Sequence, residues 1–494
     1  MKKILVYLLL LATLLTVCSC AGPADIGNEN TTSTSVSSAV DSETEENIPQ
    51  NLIDCIGNQN FGGDTVNILI RKSCAKEMFS EGVMGEMVSD AVYNRNLAVE
   101  ERLGIKLNVI PVPGEWAERD SFIATVENSA GAGDYAYDII MTHNTYIASL
   151  GMKGLSYNLY DLPTVDLSKK WWNKAFTDDM AINGKSYYAI GDLAYSIYAY
   201  IFVTYFNKSV TADKNTPDLY DLVDKGEWTF EKMKEIALTA GSDTDGNGIW
   251  DNKDEYGLSF GNFACRYSVV GFDVPLAELN GDGKYEIIKN NEKYLNLYSE
   301  LYDLLYNNNQ VWYESGLAPN ALQMFADGRV MLHVATLGNA EALKDMSNEY
   351  GIIPFPKYNS DQPDYITPMC GGFLATTVAA DIRNPQTVGA ALEALCMYGY
   401  KMITPAYYET TIKYRYLSDS RAMGLLDGIR DRVASSFVVN YSDQIDHIVN
   451  FYGDNIQSKT MSITAAVRAK QKTWQKAIDD IYASAESSGN LSGN

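Results

Sequence analysis

The richest cluster of metal-binding chemistry in the chain is DTDGNGIWDNKD, Asp243 to Asp254. It sets oxygen-bearing side chains at loop positions one, three, five, nine and twelve, with Gly248 at six, which is the spacing of an EF-hand calcium loop. In that reading Asp243, Asp245 and Asn247 turn inward, Ile249 offers its backbone carbonyl, Asp251 binds directly or through water, and Asp254 closes the shell. The departure is Asp254, where a longer glutamate usually supplies two oxygens. A Ca2+ held here would be structural, a staple across a long loop. The competing reading is a solvated acidic turn, which Gly246 and Gly248 also favour. Asn280 to Gly283 is a second acidic turn without downstream ligands and is read only as a turn.

Other chemistry is sparse. Histidine catalysis has three side chains to draw on, His143, His333 and His447. No Gly-x-Ser-x-Gly elbow, His-Glu-x-x-His helix or glycine-rich phosphate loop is present. A glycoside hydrolase needs two carboxylates about the scissile bond, and among 63 acidic residues such a pair stays open. A formal net charge of −24 excludes the usual nucleic-acid binder, which neutralises phosphates with clustered Lys and Arg, and suits an exposed, soluble protein. Beyond the leader, Cys55, Cys74, Cys265, Cys370 and Cys396 are odd in number and lack CxxC spacing, so they define neither a zinc site nor a disulfide framework. The 34 tyrosines and seven tryptophans suit both core packing and stacking against sugar rings. A surface adhesin or scaffold-docking protein draws only on the calcium-like loop, which resembles the dockerin type but occurs in one copy where a dockerin has two.

These residues must be positioned by elements that the hydropathy pattern outlines. Lys2 and Lys3 precede an apolar run from Ile4 to Val17, too short for a stable membrane span, and read as a signal peptide (1–20). Val17, Cys18, Ser19 and Cys20 resemble the lipobox of bacterial lipoproteins, with Cys20 as the lipidated residue. Residues 21–60 are rich in Ser, Thr, Asn and acidic side chains and read as a flexible tether. The remaining stretch, roughly 430 residues, exceeds what one core serves and predicts two lobes. Val66 to Ile70 predicts a buried strand. Met84, Met87, Val88, Ala91 and Val92 recur at helical spacing up to a stop at Gly104, and Ile105, Leu107 and Val109 alternate as a second strand. Ile139 to Met141, Val330 to Val334 and Tyr350 to Phe355 read as further strands. Trp228 to Ala240, capped by Thr229, reads as a helix, as do Tyr294 to Tyr306 and the stretch from Asn384-Pro385 to about Tyr400.

In order along the chain, several landmarks resemble the family 1 extracellular solute-binding proteins of ABC importers, the maltose-type and multiple-sugar class. They are the lipobox; Asn94, Arg95, Asn96, Glu100 and Glu101 leading into Leu103, Gly104 and Ile105; Tyr137 to Ile140; Tyr205, Phe206, Asn207 and Lys208; and Phe325, Asp327, Gly328, Arg329, Val330 and Met331. In the last segment Arg329 and Val330 stand where the family has Lys and Ala, and Ala335, Thr336 and Leu337 replace its Gly-Pro-Trp. The resemblance implies a two-lobed, periplasmic-binding-protein-like α/β fold of type II. Each lobe would be a mixed sheet flanked by helices, with the ligand cleft between them. Residues 61–165 plus 326–384 would form one lobe and 166–325 plus 385–494 the other, the chain crossing near Asp166 to Phe176, Tyr205, Phe325 and Asn384. It also implies a monomeric, lipid-anchored, non-catalytic binding protein that closes by hinge motion on an oligosaccharide and passes it to ABC permease subunits.

Ligands of open α/β sheets sit beyond the carboxyl ends of strands. That rule selects Arg71, Lys72 and Ser73 after the first strand; His143, Asn144 and Tyr146 after the Ile139 strand; Thr336 and Gly338 after the Val330 strand; and Met369 to Gly372, including Gly371, in a later loop. Asp192, Tyr195, Tyr198 and Tyr200 lie just before the crossing near Tyr205. Tyr200, Phe202 and Tyr205 could equally be core, as could Trp171 or Trp172.

Overall fold

The computed structural model describes residues 54–488 apart from 317, 417 and 418. The signal peptide, Cys20 and the tether up to residue 53 lie outside the described residues. In chain order the strands are β1 (Thr65–Arg71), β2 (Lys106–Val112), β3 (Ile139–His143), β4 (Phe202–Asn207), β5 (Tyr256–Gly261), β6 (Ala277–Leu279), β7 (Tyr285–Ile287), β8 (Val311–Glu314), β9 (Val330–Thr336), β10 (Tyr350–Pro354) and β11 (Leu374–Val378).

The first sheet has the order β11-β3-β1-β2. β1 runs parallel to both neighbours, and β11 closes the edge antiparallel to β3. β1 reads TVNILIR because a central parallel strand is covered on both faces. Val66, Ile68 and Ile70 point to one side, where helices Met87–Leu103 and Pro385–Thr404 pack on each other. Leu69 points to the other, into a core shared with helices Arg119–Ala132 and Asn144–Met152. Helix Met87–Leu103 stops at Gly104, whose φ of 61° is the left-handed conformation that glycine adopts without strain. A Cβ there would also run into the Asn60 side chain at 2.6 Å.

The second sheet, order β10-β4-β9-β5-β8, is mixed. β4 is antiparallel to β9 and β10, while β5 is parallel to β8 and β9. β6 and β7 form a separate hairpin whose tip is the Asn280 to Gly283 turn, closed by the Asn280 N–H on the Lys284 carbonyl at 2.9 Å. No helix among the described residues is long and apolar enough to cross a membrane.

Sheet membership departs from the expected division. β9 and β10 were placed with the first lobe, yet both pair with β4 in the second sheet, and from 326–384 only β11 returns to the first. Helix Pro385–Thr404, placed with the second lobe, covers the first sheet instead. The chain therefore passes between sheets over 192–202 and 355–373 rather than at Phe325 or Asn384; Ile201 and Met369 form a β-bridge where the two passages meet. The apolar run along β9 reveals a strand but not its partners, which long-range pairing decides. The tether also ends earlier than residue 60: Ile56 is buried, and the Asp54 carboxylate accepts two N–H bonds from Arg102 at 2.9 and 3.0 Å.

Candidate functional site

A cleft of about 600 Å³ opens at the carboxyl ends of β1, β2, β3, β5 and β9 and beside the amino ends of the antiparallel β4 and β11. Arg71 and His143 end β1 and β3, Glu115 and Trp116 follow β2, Phe263 and Arg266 follow β5, and His333 to Thr336 belong to β9. Tyr200, Cys370 and Gly372 come from the two passages, and Asp443 and His447 from the chain beyond the second sheet.

Arg71 is 2% exposed. Its Nη2 donates to the Gly372 carbonyl at 2.9 Å, and its Nη1 lies 3.6 Å from the Glu115 carboxylate, which also accepts from the Ser73 hydroxyl. Trp116 is 39% exposed, with the Arg119 guanidinium 4.3 Å above its ring and His143 and His447 at its edges, 6.3 and 6.0 Å between centroids. Arg119 is 3.5 Å from Asp443, and His447 Nδ1 is 3.1 Å from the same carboxylate. Burial raises the Asp443 carboxyl above its ordinary range.

His143 Nδ1 faces the Thr145 hydroxyl at 2.6 Å and accepts from the Thr145 N–H at 3.4 Å. Burial, and then the nearby Arg71, push its pKa down to about 3. The ring is therefore neutral, with its proton on Nε2 as a donor. His333 is neutral as well, burial bringing it to about 4, and is held between Ser259 at 2.7 Å and Asn339 at 3.3 Å. The cleft thus combines a partly exposed indole with guanidinium, carboxylate and neutral imidazole groups. That combination suits the C–H face and the hydroxyls of a sugar ring.

Of the residues selected from sequence, Arg71, His143, Tyr200 and Thr336 line the cleft. From the Met369 to Gly372 loop Cys370 and Gly372 reach it, while the Gly371 N–H is spent on the Tyr267 hydroxyl at 3.0 Å. Asn144 is buried, its amide donating to Asn440 at 3.1 Å, and Tyr146 is buried with its hydroxyl on the Gly114 carbonyl at 2.5 Å. Asp192, Tyr198 and Met369 line a smaller pocket of about 130 Å³ elsewhere. There the Asp192 carboxyl, pushed up to about 6 by burial, accepts from Tyr198 and Thr404 at 2.5 Å each. Tyr195 stacks on Tyr407 at 4.5 Å. Trp171 and Trp172 both donate their indole N–H groups to the buried Glu393, at 3.1 and 3.0 Å.

Glu115, Trp116, Phe263, Arg266, Asp443 and His447 were missed. The strand-end rule, applied to β2, finds the first two. β5 is YGLSFG, whose two glycines weaken its strand signal, and 442–450 follows no strand. In the calcium-like loop, oxygens of Asp243, Asp245 and Asp254 lie within 4.8 Å of one another. Asp243 accepts the N–H groups of Gly246 and Gly248 at 2.8 and 2.7 Å, and Asp254 those of Thr244 and Asp251 at 3.0 and 2.9 Å.

Residues 99–397 match the profile of a family described as bacterial extracellular solute-binding protein. The chain belongs to that family. Solved structures of this solute-binding fold cover most of it at low identity. The GacH receptor of Streptomyces glaucescens, studied unliganded and with acarbose, shares 14% identity over 85% of this chain and 99% of its own, with a TM-score of 0.55. The galacto-N-biose-/lacto-N-biose I-binding protein of a Bifidobacterium longum ABC transporter, bound to lacto-N-biose, shares 14% over 86% and 99%, with a TM-score of 0.56. UgpB of Mycobacterium tuberculosis, bound to glycerophosphocholine, shares 15% over 85% and 99%, also at 0.56. They establish the two-lobed fold of this solute-binding protein. No match is found among curated proteins.

Proposed function

We propose that the protein is the lipid-anchored extracellular receptor of an ABC importer. It captures an oligosaccharide in the cleft by hinge closure and delivers it unchanged to permease subunits. The observation that carries this reading is Trp116, a 39% exposed indole at the cleft, held by Arg119 over its ring and set among polar groups already oriented by their neighbours. Acarbose and lacto-N-biose in two structural relatives support a sugar, while glycerophosphocholine in a third makes the small-solute panel part of the test. The anchor rests on Cys20, and Cys20→Ala should release the protein from membranes into the medium.

The test is calorimetry of the chain from Ala21 onward against oligosaccharides and glycerophosphodiesters, with the same mixtures assayed for hydrolysis. Saturable binding of an unchanged oligosaccharide supports the reading. Turnover would replace it with a glycoside hydrolase, and binding only of a non-sugar would replace the ligand. We also propose that the Asp243 to Asp254 loop takes a structural Ca2+. Its spacing and the closeness of three carboxylates support this. A melting temperature raised by CaCl2 in wild type but not in Asp243→Ala is the expected result; no rise would reject it.

A further inference from the structure

On the second lobe, away from the cleft, a pocket of about 500 Å³ is bordered by Lys225 and Gly226, Lys357 after β10, Asp364 and Tyr365, and Gly424, Gly428 and Arg432 on and just after helix Ser420–Asp431. It shares no lining residue with the cleft. Lys357 is 6% exposed, and its backbone is pinned, its N–H on the Trp228 carbonyl at 3.2 Å and its carbonyl receiving the Phe230 N–H at 2.7 Å. Among the described residues its ammonium has no hydrogen-bond or ion-pair partner; its contact is the ring of Tyr365, 5.7 Å from the centroid. The nearby Asp364 carboxylate feels its charge but is held by Arg432 at 2.9 Å, so the ammonium opens on the pocket without a direct partner of its own.

The surroundings leave room for the missing partner. Gly226, at φ 71°, would bring a Cβ to 3.4 Å from Lys357 Nζ, and a Cβ on Gly424 would meet nothing within 4 Å. Arg432 spends Nε on Asp364 at 2.9 Å and Nη1 on the Gly428 carbonyl at 3.0 Å, so Nη2 is left for a ligand. The two carboxylates at the rim are engaged, Asp364 by Arg432 and Asp224 by Arg421 at 3.6 Å. In a chain of net charge −24, three cations facing two engaged acids make a local positive site.

We propose that this pocket is a second binding site, for the oxyanion group of a small molecule, a phosphate or a carboxylate, with Lys357 and Arg432 as its donors. The test is calorimetry of the chain from Ala21 onward with inorganic phosphate and, separately, acetate, comparing wild type, Lys357→Met, Gly424→Leu and Trp116→Ala. One saturable site is expected in wild type, for phosphate or acetate, and the preferred anion distinguishes a phosphoryl from a carboxylate ligand. Lys357→Met should weaken it by about tenfold or more. Gly424→Leu, exposed and free of steric conflict, should block it with the melting temperature retained; Trp116→Ala should leave it unchanged. Absence of saturable binding by both anions overturns the proposal, as does unaltered affinity in Gly424→Leu or loss in Trp116→Ala alone.

Discussion

Four tyrosines fall between Tyr195 and Tyr205, whereas the loop after β2 carries a single tryptophan, Trp116. The dense segment is consumed by the structure. Tyr195 stacks on Tyr407, Tyr198 donates to Asp192, and Tyr205 donates to the carbonyls of Thr336 and Leu337 at 3.1 and 2.9 Å. Tyr200 alone of the four lines the cleft. Trp116 instead stays 39% exposed, with Arg119 over its ring. Where the chain passes between sheets, ring area and hydroxyl hydrogen bonds are both used for cohesion. A ring available to a ligand is one whose neighbours hold its orientation without covering it.

The contrast breaks most visibly at Asp192. Asp192→Ala leaves the buried hydroxyls of Tyr198 and Thr404 without their acceptor, and about 3 kcal/mol of stability should be lost, read in the denaturation midpoint. Affinity of the folded protein should change far less. If ligand binding collapses while the midpoint holds, the tyrosine segment is the site and Trp116 is not.

Glu393 offers a pH version of the same test. Burial lifts its carboxyl from 4.5 to about 7, against the bonds from Trp172 and Trp171. Between those values the folded state holds a proton that the unfolded state has released. Its contribution is full below pH 4.5 and is lost as pH rises through 7, by about 3 kcal/mol. Glu393→Gln should remove that part of the decline when melting is compared with wild type across pH 4–8. Trp116→Ala should follow the wild-type pH profile, its loss appearing in ligand affinity: about 30-fold, or 2 kcal/mol, with the melting temperature unchanged.

What the sequence disclosed and what it hid follow the same division. β1, the stop at Gly104 and the Thr229 cap, whose hydroxyl accepts the Lys232 N–H at 3.2 Å, are set by neighbours along the chain and were legible. So were Arg71 and His143, because a strand end points at the cleft whatever the strand pairs with. The sheet to which β9 belongs and the helix that covers β1 depend on pairings far along the chain, and the difference between Tyr198 and Tyr200 on Thr404 and Tyr408, which pack around Asp192 and Tyr198. Composition pointed to the tyrosine-rich segment because it counts rings without seeing which faces are already taken.

Tyr200 and Tyr198 make the finest comparison, two residues apart with opposite fates. Tyr198 gives its hydroxyl to Asp192, and burial sends its pKa well above 10. Tyr200 borders the cleft near Arg71, with its ring against Gly372, where a Cβ would come within 2.3 Å of it. Removing only the hydroxyl separates the two roles, since phenylalanine preserves the packing of either ring. Tyr198→Phe should lower the melting temperature, because Asp192 loses a donor, and leave affinity near wild type. Tyr200→Phe should leave melting in place and weaken ligand binding about fivefold, the worth of one hydrogen bond of about 1 kcal/mol. Equal affinities for both variants would mean that the ligand meets only the ring of Tyr200, leaving Arg71, Trp116 and the neutral imidazole of His143 to determine its orientation.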